Sequence, residues 1–405
     1  MATQSRGVHP GLGRMERLLF ALGNPEKRLR CLHVAGTNGK GSVCAIAESI
    51  LRSMGIRTGL YTSPHLVEFS ERIRINGENT TDTAIDEGIA RIREVTEDWR
   101  EDEQPTFFEL VTALAFDLLE REGCEVVVLE TGLGGRLDAT NTAIKLACAI
   151  TPIALDHSEW LGGTLGEIAR EKAGILREGI PVIIAPQDPE VSEVLAVTAR
   201  AIGASCKWVN APIPADLPLG LAGSHQRWNA AVALALIRVA GFEPSSEALA
   251  KGLREVVWPG RFHRLFTHGA ELILDGAHNL HAVRQLVITW KEEYGELPCR
   301  LIFGALADKD PSAMLAELMP LASEVFLVPV ASLRSADPLK IASGGSFSGC
   351  SHPIPKVFGS LREALEGLQH HDSDSEASVL LTGSLFLVGE ALSLVSGGEV
   401  KPRSQ

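Results

Sequence analysis

Short apolar runs alternate with stretches of helical period along most of the chain. This pattern belongs to strand–helix units laid around a largely parallel sheet. The first unit is the run Cys31–Ala35, a glycine-rich stretch at 36–41, and a helix from Ser42 to about Met54. Arg57–Thr62 reads as a second short strand. Asn76-Gly77 reads as a hairpin turn, because both residues tolerate the positive φ that a tight turn needs. Helices are predicted over 84–98 and 107–122, and buried strands over 125–130 and 147–153. A helix over 164–176, a strand over 181–185 and an alanine-rich helix from Asn229 to Val239 follow. Val257-Trp258-Pro259-Gly260-Arg261 then breaks the pattern. A second series begins beyond it: strand 271–275, helix 280–293, strand 300–304, helix 311–322, strand 325–329, helix 360–369, strand 378–382 and helix 385–394. Ser343–Pro355 and His370–Ser378 read as solvent loops and 396–405 as a frayed tail. No fixed-period repeat is present.

Length and charge narrow the picture. The 405 residues exceed one ordinary domain and suit two or three. A net charge of −13 repels a phosphate backbone, which excludes nucleic acid as a general partner. Any anionic ligand must therefore be held by a local cluster of cations, backbone N–H groups or metal. The seven cysteines (Cys31, Cys44, Cys124, Cys148, Cys206, Cys299 and Cys350) are scattered, odd in number and never spaced C-x-x-C. They read as reduced thiols of a cytoplasmic protein, not as a disulfide frame or a zinc site. The first residues hold no apolar leader segment, and no run approaches the roughly 18 apolar residues of a membrane span.

Five segments carry candidate chemistry. Gly36-Thr37-Asn38-Gly39-Lys40-Gly41-Ser42 lies between an apolar strand and a helix. Glycines there let backbone N–H groups turn toward phosphate oxygens. The helix start adds its dipole, and Lys40 supplies a point charge. The stretch departs from the usual phosphate loop: Val34 stands six residues before the lysine, and the hydroxyl of Ser42 comes two residues after it. Second, Val126–Leu129 ends in Glu130 and runs into Thr131-Gly132-Leu133-Gly134-Gly135-Arg136-Leu137-Asp138. A carboxylate at a strand end suits Mg²⁺ or an attacking water. A dinucleotide fingerprint would want a glycine at 137, and a plain glycine turn is the simpler alternative. Third, His157 follows the strand ending near Leu155 and suits a metal ligand, a base or a satisfied structural residue. Fourth, Lys172 lies in a helical stretch, Glu167–Gly174, where most lysines are solvated charges. Fifth, Asp275 and His278 sit at the end of the first strand of the second series, where open α/β sheets place ligands.

Together these segments resemble the folylpolyglutamate synthase/dihydrofolate synthase family, relatives of the Mur peptidoglycan ligases. The matching pieces include 33–42, 61–66, 71–77, 106–109, 129–141, 155–157, 171–175, 223–231, 259–261, 275–279, 307–310 and 382–385, in family order. The resemblance implies an α/β fold with two domains. Residues 1–260 would form a Mur-ligase-like P-loop ATP-binding domain with a mostly parallel sheet. Residues 261–405 would form a smaller Rossmann-like glutamate-ligase domain.

The resemblance also implies ATP, two Mg²⁺ ions and a monovalent cation. Gly39, Lys40, Gly41 and Ser42 match the triphosphate loop, and Asn229, Arg261 and Asp275 the remaining ATP contacts. Ser63, Glu130 and His157 match Mg²⁺ ligands. Lys172 matches a lysine that the family carbamylates, which turns a cation into an anionic oxygen ligand. His278 matches a residue near the transferred phosphate. Thr106, Phe107, Phe108, Glu109, Leu137, Asp138 and Ala139 match segments that contact the pterin-bearing substrate. Arg136 and Arg261 would add positive charge.

The implied reaction phosphorylates a carboxylate of dihydropteroate or a reduced folate, and the amine of L-glutamate then attacks the acyl phosphate. Closure of two domains is expected to exclude water. The implied protein is a cytoplasmic monomer with small-molecule partners only. The alternative of another Mur-like amide ligase, acting on a peptide-like acid, would need an extra N-terminal domain for a nucleotide-sugar head. A nucleotide switch without ligase chemistry would not need Asp275 and His278. Family members usually begin with a longer helix and a loop that helps to bind dihydropteroate. Only about ten residues precede Gly11 here, and residues 2–4 do not match that loop, so either the start of the chain is trimmed or the dihydropteroate site is weaker or differently built.

Overall fold

The computed structural model describes residues 11–267, 270–344, 353–369 and 378–397. Most of the predicted loops Ser343–Pro355 and His370–Ser378, the tail beyond 397 and residues 2–4 lie outside them. The chain forms two compact units: residues up to 220 with 226–257, and 221–225 with those from 258 onward. The five residues 221–225, read from the sequence as part of the first domain, thus belong with the second unit.

The first unit is built on eight strands: β1 (Cys31–Ala35), β2 (Thr58–Tyr61), β3 (Ile73–Ile75), β4 (Glu78–Asn79), β5 (Val126–Glu130), β6 (Lys145–Ile150), β7 (Pro181–Ile184) and β8 (Ser205–Trp208). Their order is β4-β3-β2-β5-β1-β6-β7-β8. All pairings are parallel except β2 with β3 and β3 with β4. β1 and β5 are buried at every position, as their unbroken apolar runs require of strands covered on both faces. The β3–β4 hairpin turns at Asn76 and Gly77, whose φ of 52° and 83° meet the expectation for this dipeptide. β6 ends at Ile150, short of the predicted 153, because Pro152 cannot donate to a ladder.

Among the described residues the second unit carries six strands: β9 (His263–Thr267), β10 (Ala270–Leu274), β11 (Cys299–Phe303), β12 (Ala322–Leu327), β13 (Lys356–Val357) and β14 (Val379–Thr382). The order is β13-β12-β11-β14-β10-β9, with only the β9–β10 pair antiparallel. Its core gathers Phe262, Trp290, Phe303, Met314, Leu315 and their neighbours, with Ala222 packed against it. Among the described residues no helix is long and apolar enough to cross a membrane.

The helices that matter for the site are Lys40–Ser53, Phe107–Arg121, Leu165–Ala173 and Ser224–Val239. Thr106 and Thr164 start the second and third with capping boxes, each hydroxyl accepting an N–H while Glu109 and Glu167 reach back. Among the described residues five helices went unpredicted: Gly13–Ala21, Ser158–Leu161, Pro189–Ile202, Ser246–Glu255 and Pro338–Gly344.

Candidate active site at the end of the central strands

β1 ends in the glycine stretch, and the helix Lys40–Ser53 begins immediately after it. The N–H groups of Thr37 and Asn38 both donate to Pro152 O, at 3.0 and 3.1 Å. Thr37 Oγ1 is bracketed by Ala154, accepting its N–H and donating to its carbonyl, both at 3.1 Å. The front of the loop is therefore tied to the segment after β6. The donors left for an anion are those of the helix's first turn, from Gly39 through Ser42, which have no intrahelical partners. Gly39 has φ +87°, and a Cβ there would lie 2.6 Å from Asn229 Oδ1. Asn229 thus lies directly over the loop, held by its Nδ2 donating to Gln226 Oε1 at 2.9 Å.

Parallel pairing sets Val34 opposite Glu130, so β5 delivers its terminal carboxylate beside the loop. Lys40 Nζ lies 3.9 Å from Glu130 Oε1 and donates to Thr37 O at 3.3 Å. Ser63, just past β2, donates its N–H to Glu130 Oε2 at 3.2 Å. Three sequence candidates, Lys40, Glu130 and Ser63, are thereby assembled from three adjacent strands. Lys172 comes in from the helix Leu165–Ala173: it is buried and its Nζ donates to Gly36 O at 2.7 Å. Burial, followed by repulsion from Lys40, pulls its proton affinity down to about 7. A lysine in that state offers a neutral amine near neutral pH.

His157 is half exposed at a left-handed φ of 52°, with its imidazole Nε2 3.9 Å from Asp156 Oδ1 and its backbone N–H donated to that oxygen at 2.9 Å. Among the described residues no cluster of three His, Cys, Asp or Glu side chains is preformed to grip a metal. The adjacent oxygens of Glu130 and Ser63 suit a hard divalent ion that takes its remaining ligands from nucleotide phosphates and water.

The predicted acid-substrate residues divide into two groups. Phe107, Phe108 and Leu137 present partly open surface. The Phe108 ring lies so close over Gly132 that a Cβ there would come within 2.4 Å of it. Glu109, by contrast, is buried, accepting from Thr106 N–H at 2.7 Å and from Arg14 Nε and Nη2 at 3.2 Å. Ala139 is buried. Asp138 is buried with its carboxylate already accepting four hydrogen bonds: from the N–H groups of Gly132 and Leu133 at 2.9 Å, from Thr140 N–H at 3.0 Å and from Thr140 Oγ1. Burial raises its affinity for a proton while these donors oppose the rise. Arg136 is exposed, and its Nε and Nη2 hold Glu171 Oε1 at 3.2 and 2.9 Å.

In the second unit, Asp275 follows β10 and accepts N–H donors from Phe262 and Ala277, both at 2.9 Å. Burial raises its proton affinity, and Arg261 works against that rise. Arg261 Nη1 donates to Gly260 O at 2.9 Å, and His278 Nδ1 lies 2.8 Å from Gly276 O. Sequence reasoning missed Thr151, which fills the space a Cβ on Gly36 would need, and the buried pair His33 and Thr140. The signal for His33 was an imidazole inside an otherwise apolar buried strand.

Residues 260–385 match the family model of the Mur ligase, glutamate ligase domain. The chain is 37% identical over 417 residues to the dihydrofolate synthase/folylpolyglutamate synthase of Bacillus subtilis, covering 95% of this chain and 94% of the relative. Escherichia coli FolC in complex with DHPP and ADP superposes with a TM-score of 0.85 at 32% identity, covering 97% of this chain and 95% of that one. A bifunctional folylpolyglutamate synthase/dihydrofolate synthase with Mn, AMPPNP and L-glutamate bound gives a TM-score of 0.85 at 31% identity, covering 98% and 96%.

Proposed function

The chain belongs to the dihydrofolate synthase/folylpolyglutamate synthase family, and from that premise we propose that it joins L-glutamate both to dihydropteroate and to reduced folylglutamates. It is an ATP-dependent ligase of folate metabolism that uses a divalent metal. The observation that carries the site assignment is the convergence of Lys40, Glu130 and Ser63 at the glycine loop, with Lys172 on the loop's first carbonyl.

The roles follow from the chemistry of these groups. The first-turn N–H groups of the Lys40–Ser53 helix and the Lys40 ammonium hold the triphosphate. The substrate carboxylate attacks the γ-phosphorus, the bridging bond breaks with its electrons going to ADP, and an acyl phosphate forms. The amine of glutamate then adds to the acyl carbon, and phosphate leaves. Lys40 screens the repulsion between the two anions that must meet. Glu130, Ser63 and His157 are the proposed holders of Mg²⁺, which lowers that repulsion further when bound. Phe107, Phe108 and Leu137 offer the apolar surface for the pterin. Thr106, Glu109, Asp138 and Ala139 shape that surface from behind. Asn229 covers the loop on the nucleotide side, and Arg261, Asp275 and His278 are proposed contacts of ATP and glutamate.

Carbamylation of Lys172 belongs to the same proposal. Its neutral amine adds to carbon dioxide and loses a proton, giving a carbamate whose oxygens suit a second Mg²⁺. Its depressed proton affinity supports this, since the addition needs the free amine. Lys172→Ala should lose most activity and regain part of it with short carboxylic acids. A full-activity Lys172→Ala enzyme removes the residue from the site. A cytoplasmic monomer is the proposed setting.

The test is phosphate release from Mg–ATP with glutamate, offering dihydropteroate in one tube and tetrahydrofolate in another. Release in both supports two activities. Release with tetrahydrofolate alone assigns the single folylpolyglutamate synthase activity.

A further inference from the structure

We propose that His33 is a positioning residue for the acid substrate: through Thr140 it locks the Asp138 carboxylate, and with it the turn Gly132–Gly135, against the strand that feeds the phosphate loop. The inference rests on the reading above that places the pterin-bearing acid on Phe107, Phe108 and Leu137, of which Phe108 lies over Gly132 of this turn.

The argument runs through proton directions. Asp138 Oδ2 accepts from the N–H groups of Gly132 and Leu133, and Oδ1 accepts from Thr140 N–H. Backbone N–H groups can only donate, so this carboxylate is an acceptor on every side. The Thr140 hydroxyl is its fourth partner and spends its one proton on Asp138 Oδ1. Thr140 Oγ1 also lies 2.8 Å from His33 Nε2. With the hydroxyl proton committed to Asp138, the ring nitrogen must be the donor. His33 is therefore the Nε2–H tautomer, and its Nδ1 is a bare lone pair. That nitrogen is buried and has no hydrogen-bond partner among the described residues. A bare lone pair there is tolerable, whereas an N–H in the same place would be an orphaned buried donor. The environment thus selects the tautomer that points a donor at Thr140.

The chain of donors runs one way, from His33 to Thr140 to Asp138, which in turn gathers the backbone of the turn. Its root is rigid. His33 is fully buried in β1, paired on one side with Leu129 and on the other with Cys148. Three residues further on, the same strand becomes Gly36, the partner of Lys172. The far side of the turn is fixed separately, by Asn141 Nδ2 donating to Arg136 O at 2.9 Å and to Gly174 O at 3.0 Å. Phe108 lies over Gly132 on the near side. The His33 chain therefore sets the height of the acid-binding turn relative to the phosphate loop, which is the distance the carboxylate and the γ-phosphate must share.

The test has two arms on the full-length enzyme. In the first, histidine selectively labelled with ¹⁵N reports the ring tautomer of His33 without substrates, assigned by loss of the signal in His33→Gln. The expected spectrum shows Nε2–H in the native enzyme, with that proton's signal displaced in Thr140→Val and restored in Thr140→Ser. An Nδ1–H ring, or an unchanged signal in Thr140→Val, overturns the proposal whatever the enzyme's substrate. In the second, Thr140→Val and His33→Leu each raise the KM for the acid by about tenfold while the KM for ATP stays within about twofold, and the double variant is no worse than either single one. Thr140→Ser recovers most of the loss. Equal changes in both KM values, or a fall in melting temperature with neither KM moved, overturn the positioning role. A native enzyme that turns over neither dihydropteroate nor tetrahydrofolate sinks the substrate reading instead, and leaves the tautomer result standing on its own.

Discussion

Replacing Lys172 with methionine should make the ligand-free enzyme more stable while removing its activity. The side chain is buried, 5% exposed, and among the described residues its ammonium donates one hydrogen bond, to Gly36 O. Burial and Lys40 lower its proton affinity from an ordinary 10.5 to about 7. That fall corresponds to roughly 5 kcal/mol against the charged form in the folded state. The sign follows from linkage. Below pH 7 both folded and unfolded chains carry the proton, and the folded state bears the whole penalty. Between 7 and 10.5 only the unfolded chain is protonated, so stability rises with pH, and above 10.5 the penalty is gone. Methionine fills similar volume without charge but leaves the Gly36 carbonyl without this donor, at a cost of about 1–3 kcal/mol. The net gain near pH 7 is on the order of 3 kcal/mol, or roughly 5 °C or more in the melting of the first unit. The assay is a thermal melt in metal-free, bicarbonate-free buffer from pH 6.5 to 9.5. The advantage of Lys172→Met should shrink as pH rises. A variant that melts at or below the native enzyme at pH 7, or an advantage that does not change with pH, refutes the reasoning.

The other predictions are shorter. Gly39→Ala forces a side chain into φ +87° and within 2.6 Å of Asn229 Oδ1, so nucleotide affinity should fall by about 10–100-fold in titrations with a fluorescent ATP analogue. Glu130→Gln keeps the shape but not the charge beside Lys40 and Ser63, and the Mg²⁺ concentration for half-maximal rate should rise by about tenfold or more. Glu109→Gln weakens a buried pairing with Arg14 and half of a capping box, costing about 1–3 kcal/mol in denaturant unfolding. Arg136→Ala should leave kcat and both KM values nearly unchanged, because the guanidinium is engaged with Glu171; a large loss in kcat would show that its charge reaches the substrates.

Much of the site was legible because its chemistry is contiguous. Glycines, a lysine and a hydroxyl follow one buried apolar run, and that run became β1 and its loop. Glu130 was legible for the same reason, as a charge ending the apolar run of β5. The N-terminal helix was hidden by Gly11 and Gly13, although Met15, Leu18 and Leu19 stand at helical spacing and are buried. β8 was hidden because it is a four-residue edge strand with alternating exposed positions, including Lys207. Asp138 shows the harder limit. The sequence reveals an acid in a glycine-rich turn, but which N–H groups it meets depends on how that turn folds back on itself. The role of Thr140 is invisible for the same reason, since its partner His33 is 107 residues away.

The small segment 221–225 has a practical meaning for anyone who would take the molecule apart. Ala222 packs against the core of the second unit, and Ser224 donates its N–H to Glu292 Oε2 at 2.8 Å, yet both precede more than thirty residues of the first unit. Neither unit is a contiguous stretch of polypeptide. The stretch that matches the Mur ligase domain, 260–385, leaves this strap behind when excised. A cut near 260 would therefore part the second unit from a piece it needs, so domain exchange between relatives must carry the strap along with the second unit.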